Sequence, residues 1–109
     1  MSYQVEALPN FKRELKQLKK KYPSLLQDVA ALATDLAQDP TQGTSLGQNC
    51  YKIRLAIASK QQGKSGGARV ITCVVAVAKK VTLLSIYDQS EQADIPTKLL
   101  QQLAKEATL

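Results

Sequence analysis

The stretch from Tyr51 to Val77, YKIRLAIASKQQGKSGGARVITCVVAV, constrains the fold of this chain more than any other, because it joins the strongest strand patterns to the densest basic charge. In Tyr51-Lys52-Ile53-Arg54-Leu55-Ala56-Ile57, apolar and basic residues alternate. A pleated strand sends successive side chains to opposite faces, so Tyr51, Ile53, Leu55 and Ile57 are expected on a core face and Lys52 and Arg54 on a cationic one. Ala68 to Ala78 is almost continuously apolar and rich in Val, Ile and Thr, with Arg69 its only charge. Such a run reads as a central strand covered on both faces. The Gly- and Gln-containing segment 58–67 suits a connection rather than a packed element. Together they predict a β-hairpin with a long basic loop.

The flanking segments supply what that hairpin must pack against. Ser2 to Leu8 alternates as a short first strand, ended by Pro9. Asn10 is placed to cap a helix with Phe11, Leu15, Leu18 and Tyr22 on one face and Lys12, Arg13, Lys16, Lys19, Lys20 and Lys21 over the rest. Ser24 followed by Gln27 fits a capping box opening a second helix to about Gln38, with Leu25, Val29, Leu32 and Leu36 as its buried stripe. Asp39 to Asn49 reads as a polar connection. Lys79-Lys80 reads as a turn, and Val81 to Tyr87 as a fourth strand. Pro96 suits the first turn of a last helix reaching about Ala107, striped by Leu99, Leu100, Leu103 and Ala107. The expected fold is α+β in the order β-α-α-β-β-β-α. Its small antiparallel sheet packs against an N-terminal helical hairpin, with a C-terminal helix following.

With 109 residues, of which 44% are apolar, the chain is expected to form a single domain over 1–109. No stretch approaches the ~20 apolar residues that span a bilayer, and the first ten residues lack the pattern of a signal peptide, so a cytoplasmic address without membrane contact is expected. Cys50 and Cys73 are the only cysteines and there is no histidine. They read as small buried hydrophobes, with a cross-strand disulfide open to them in an oxidising compartment. The missing histidine removes His-based triads, His-ligated zinc and two-histidine RNA cleavage, leaving Lys, Arg, Tyr and carboxylates for any chemistry. From Thr41 to Tyr87 there are seven basic residues (Lys52, Arg54, Lys60, Lys64, Arg69, Lys79 and Lys80) and no acid. That asymmetry points to a polyanionic partner.

The Lys-rich helix ending Lys20-Lys21-Tyr22-Pro23, the Tyr51-Lys52-Ile53-Arg54 strand and the run from Lys60 through Gly63-Lys64-Ser65-Gly66-Gly67-Ala68-Arg69-Val70-Ile71 resemble the RelE/ParE toxin superfamily, in particular its RelE/HigB-like branch. The Gly-Lys-Ser tripeptide is not a P-loop, since the motif's first glycine is missing and Gly-Gly follows where a helix should open. The resemblance implies the toxin of a toxin–antitoxin pair, a metal-independent and cofactor-free endoribonuclease that cuts mRNA on the ribosome and is held by a cognate antitoxin protein. It implies catalytic roles for Lys52, Arg54 and Arg69, since arginine clamps a phosphate bidentately and a lysine held among cations gives up its proton more readily. Lys60, Lys64, Tyr87 and Gln89 fall at expected substrate-binding positions, Tyr87 serving either as core or as a base-stacking platform. Two departures stand out. Gln89 replaces the lysine of the Tyr-x-Lys-x-Glu common in this branch, and Cys73 stands where an aromatic is usual. The alternatives implied are a ParE-like inhibitor of a DNA topoisomerase without catalysis, and an inactive member kept for antitoxin binding.

Overall fold

The computed structural model describes residues 2–60 and 66–108; Lys64, expected to bind substrate, lies outside the described residues. Its elements are β1 (Gln4–Ala7), α1 (Pro9–Lys19), α2 (Leu25–Gln38), β2 (Thr44–Gly47), β3 (Cys50–Leu55), β4 (Ala68–Val75), β5 (Lys80–Asp88) and α3 (Thr97–Ala107). Short 3₁₀ turns fall at Ala58–Lys60 and Ala76–Ala78. This is the expected α+β order with one strand added. The strands make one sheet in the order β1-β5-β4-β3-β2, antiparallel from β2 to β5, with β1 parallel to β5 at one edge.

The added strand, β2, falls in the segment expected to be a polar connection. Leu46 is its only apolar residue, so no alternation betrays it. Gln48 and Asn49, at φ 54° and 64°, make the two-residue turn that sets Gly47 opposite Cys50. Two successive left-handed residues are what a type I′ hairpin requires, and asparagine tolerates that conformation well.

Two apolar cores lie on the two faces of the sheet. On one, Phe11 of α1 and Leu25 and Leu36 of α2 are buried with Ile53, Val70, Val81 and Ile86. On the other, Leu103 and Ala107 of α3 cover Ile71, Cys73, Leu84 and Tyr87. Each Leu or Phe so buried contributes roughly 2 kcal/mol. The continuous apolar run of β4 follows from this arrangement, because Val70 and Val74 enter the first core while Ile71 and Cys73 enter the second. It also corrects the reading of β3 as half cationic. Its second face is apolar beneath α3 at Cys50 and basic only farther along, at Lys52 and Arg54.

Both expected helix caps are replaced by tertiary contacts. Leu8 occupies the cap position of α1, with Pro9 in the first turn. Asn10, inside that turn, donates from Nδ2 to the Leu84 carbonyl at 3.0 Å and to Glu14 Oε1 at 2.9 Å. Glu14 Oε1 also accepts from Ser85 Oγ at 2.7 Å and from the Ile86 N–H at 3.2 Å. Beyond Leu83 the short β1 has ended, and a bulge interrupts the β4–β5 register. Two polar side chains of α1 thus satisfy backbone groups that no strand reaches. Ser24 is itself helical at φ −80° and ψ −9°, so its hydroxyl donates to Asp28 Oδ2 at 2.8 Å instead of capping α2. The same hydroxyl accepts from the Ser59 N–H at 2.9 Å, and Asp28 Oδ2 accepts from the Ala58 N–H at 3.2 Å. The 3₁₀ turn after β3 is tied to the start of α2 in this way.

Gly67 sits where β4 begins, and a Cβ there would lie 2.1 Å from the Leu55 carbonyl oxygen. Backbone cannot yield as a flexible side chain does. Gly67→Ala is therefore expected to destabilise the fold by about 2 kcal/mol, read as a lowered urea midpoint with an unchanged slope. An unaltered midpoint would show that β3 and β4 do not approach so closely.

Candidate active site

The antiparallel registers place Arg54 directly opposite Arg69, and Arg69 directly opposite Tyr87. Directly opposed residues project from the same face, so the three side chains form a row across β3, β4 and β5. That face is the one α3 partly covers, since Tyr87 belongs to its core. Lys52, two residues before Arg54, shares the face by the period of a strand. The site is therefore built on three adjoining strands of the sheet, with Arg54 at its open edge.

Burial differs sharply along the row. Arg69 is only 7% exposed and Tyr87 4%, while Arg54 is exposed. Arg69 donates from Nη1 to the Ala68 carbonyl at 3.1 Å, which helps to hold the guanidinium against its own strand. Two like charges directly opposed across a sheet repel, and an anion seated between them removes that cost.

Asp94, in the segment between β5 and α3, draws two of these residues together. Its Oδ1 lies 3.6 Å from Lys52 Nζ and accepts a hydrogen bond from the Tyr87 hydroxyl at 3.4 Å. The Ile95 N–H donates to the same oxygen at 2.9 Å and fixes its position. Burial, then the charge of Asp94 and this hydrogen bond, push the Tyr87 phenol up to about 12, against the opposing influence of Arg69. Tyr87 thus stays protonated at neutral pH, a buried hydrogen-bond donor to Asp94 rather than a base, and of its two expected roles it takes the core one.

Lys60 is placed elsewhere. Its Nζ lies 2.8 Å from Asp88 Oδ1, and Asp88 also accepts from the Tyr22 hydroxyl, the Ser90 N–H and the Ser90 hydroxyl. The ammonium stacks 5.3 Å above the Tyr22 ring, and Tyr22 belongs to the core under α1 and α2. Lys60 is thus engaged on the opposite side of the sheet from Arg54 and Arg69, with a buried carboxylate as its partner. Gln89 extends the β4–β5 ladder by donating its N–H to the Gly67 carbonyl at 3.1 Å, and its side chain is half-buried. Lys80 pairs with Glu6 at 3.6 Å.

Among the described residues, Lys52 pairs with Asp94, Lys60 with Asp88 and Lys80 with Glu6, acids that all lie outside the window from Thr41 to Tyr87. On the sheet face partly covered by α3, the basic residues brought side by side are Arg54, Arg69 and Lys52. A cleft of about 540 Å³ between α1 and the end of β5 offers no rival anion site, because Glu14, Asp88 and Glu91 line it against Arg13 alone. Among the described residues no group of three or more Cys, Asp or Glu is arranged to hold a metal, and no helix is long and apolar enough to cross a membrane. Sequence reasoning missed Asp94 and Asp88. An aspartate ending an otherwise apolar strand was the one signal available for Asp88; Asp94 carried none.

No family model matches the sequence, and no curated protein matches it. Solved structures do. A double arginine-to-alanine variant of the E. coli toxin RelE in the free state superposes with a TM-score of 0.64 at 16% identity, covering 97% of this chain and 98% of that one. The Mycobacterium tuberculosis RelBE2 toxin–antitoxin complex matches with a TM-score of 0.60 at 18% identity over 81% of this chain and 99% of that one. Isolated E. coli RelE matches with a TM-score of 0.57 at 16% identity, covering 97% and 99%. Sheet, helical hairpin and terminal helix thus recur together over nearly the whole chain, and the protein has the fold of the RelE toxins.

Proposed function

We propose that this chain is the toxin of a toxin–antitoxin pair, an endoribonuclease that cuts mRNA on the ribosome and is neutralised by an antitoxin protein. The observation that carries the reading is the row of Arg54, Arg69 and Tyr87 with Lys52 beside it, on a sheet shared with RelE. In this reading a scissile phosphate lies over the two guanidiniums, which neutralise the charge that builds on its oxygens in the transition state. The adjacent ribose 2′-oxygen attacks phosphorus, the bond to the 5′-oxygen breaks, and the products are a cyclic phosphate and a free 5′-hydroxyl. Lys52 is the group assigned to the 2′-hydroxyl proton, a role that requires it to leave Asp94 when substrate binds, because a carboxylate partner favours the ammonium form that cannot accept a proton. Tyr87, buried in the core beneath α3 and donating to Asp94, backs the row from within the sheet and does not serve as a stacking platform. The likeness to the Mycobacterium tuberculosis RelBE2 toxin–antitoxin complex supports an antitoxin partner.

Induced expression of the chain in bacteria tests this directly, with amino-acid and thymidine incorporation followed in parallel. Amino-acid incorporation is expected to stop first, and the doubly substituted Arg54→Ala/Arg69→Ala chain to permit growth. Thymidine incorporation failing first would identify a topoisomerase as the target. Undisturbed growth would mark an inert member, with Gln89 as the leading cause.

A further inference from the structure

Cys50 and Cys73 stand directly opposite one another on β3 and β4, both buried at 2% exposure and both free thiols. The Val74 N–H donates to the Asn49 carbonyl at 2.8 Å, which makes the 49/74 pair a hydrogen-bonded one. Cys50 and Cys73 therefore occupy the adjoining non-hydrogen-bonded position, where Cα atoms lie about 4.5 Å apart, inside the roughly 4.4–6.8 Å that a disulfide spans. The two thiols also converge on one acceptor, the Gln48 carbonyl, at 3.6 Å from Cys50 Sγ and 4.0 Å from Cys73 Sγ. A separate cleft of about 160 Å³, lined by Gln48, Cys73, Gln101, Ala104, Lys105 and Thr108, reaches Cys73 between the β2–β3 turn and α3.

We propose that Cys50 and Cys73 form a reversible dithiol oxidation site, in which Cys73 is the thiol that reacts with a small hydroperoxide and Cys50 the thiol that resolves it. The Cys73 sulfur, as thiolate, attacks the terminal oxygen of the hydroperoxide; the O–O bond breaks, the alkoxide or hydroxide leaves and takes up a proton, and Cys73 becomes a sulfenic acid. Cys50 then attacks the sulfenic sulfur, the S–S bond forms, the S–O bond breaks, and water departs with the Cys50 proton. Two thiols thereby lose two electrons and two protons to the peroxide. The order of the thiols follows from access, since the cleft is lined by Cys73 and not by Cys50. Lys105 lines the same cleft. The bridge would tie β3 to β4 two residues before Lys52.

The test treats the folded, reduced chain with hydrogen peroxide, then unfolds it in iodoacetamide for intact and peptide mass spectrometry. The expected product is a monomer with no alkylated cysteine, yielding a linked Cys50–Cys73 peptide, reversed by dithiothreitol and melting at a higher temperature than the reduced chain. In Cys50→Ser, dimedone should trap a sulfenic acid at Cys73; in Cys73→Ser, Cys50 should react more slowly by about tenfold or more. The wild-type result stands alone if a variant fails to fold. Thiols that stay fully alkylatable, a bridge that forms only in denaturant, or one that links two chains would overturn the proposal. Equal reactivity of the two single variants would overturn the assigned order.

Discussion

Arg69→Ala is expected to slow single-turnover cleavage of RNA on saturated ribosomes by about two to three decades, equivalent to roughly 2–4 kcal/mol of transition-state stabilisation. The expectation rests on position. Arg69 is 7% exposed, lies within β4 and donates to the adjacent carbonyl, so its guanidinium is restrained before any phosphate arrives. A preorganised donor pair loses little entropy in clamping two phosphate oxygens, and the gain is largest where charge develops. Arg69→Lys separates charge from geometry, because lysine keeps the cation but not the planar fork. It should restore binding of RNA while leaving the cleavage step slow. Saturating conditions remove any effect that is only binding, and a thermal melt of each variant removes any effect that is only folding. Cleavage by Arg69→Ala at the wild-type rate would mean that the row is not the active site.

The second large effect concerns stability. Asp88→Ala is expected to destabilise the fold by about 3 kcal/mol, since removing one member of a buried ion pair strands the others. Asp88 is 2% exposed, and Lys60, Tyr22 and Ser90 all donate to it. Burial alone would push its carboxyl up, yet the hydrogen bonds from Lys60, Tyr22 and Ser90 prevail and hold it well below the ordinary carboxylate range. A carboxyl depressed in the folded state adds stability that is fully present above its unfolded pKa of about 3.9 and is lost as the pH falls toward the folded value. Urea melts at neutral pH and near pH 3 should therefore show a wild-type decline on the acid side that is shallower in Asp88→Asn. Matching acid limbs in the two chains would place the acid sensitivity in other carboxylates. Lys60→Ala should lose stability in the same assay, in keeping with its engagement by Asp88 rather than by substrate.

Much of the helical layer was legible from residues alone. The spacing of Leu25, Val29, Leu32 and Leu36 predicts one buried stripe, and all four are buried. Leu103 and Ala107 are buried on α3 as their spacing requires. The caps were misread because Asn10 and Ser24 have stronger partners far away in sequence, at Leu84 and Ser59. β2 was invisible because a four-residue edge strand with one apolar side chain carries no period.

Period-2 and period-3.6 patterns, being local consequences of backbone geometry, were enough for the α+β class, the hairpin of β3 and β4, and the placement of Lys52 and Arg54 on one strand face. Which charges share a site was settled by the packing of strands and connections that bring distant residues together. Register set Arg54 against Arg69 and Tyr87, and chain reversal brought Asp94 to Lys52 and Asp88 to Lys60. A charge count along the chain cannot see such pairs, since Coulomb attraction depends on separation in space and the acids lie 42 and 28 residues from their lysines.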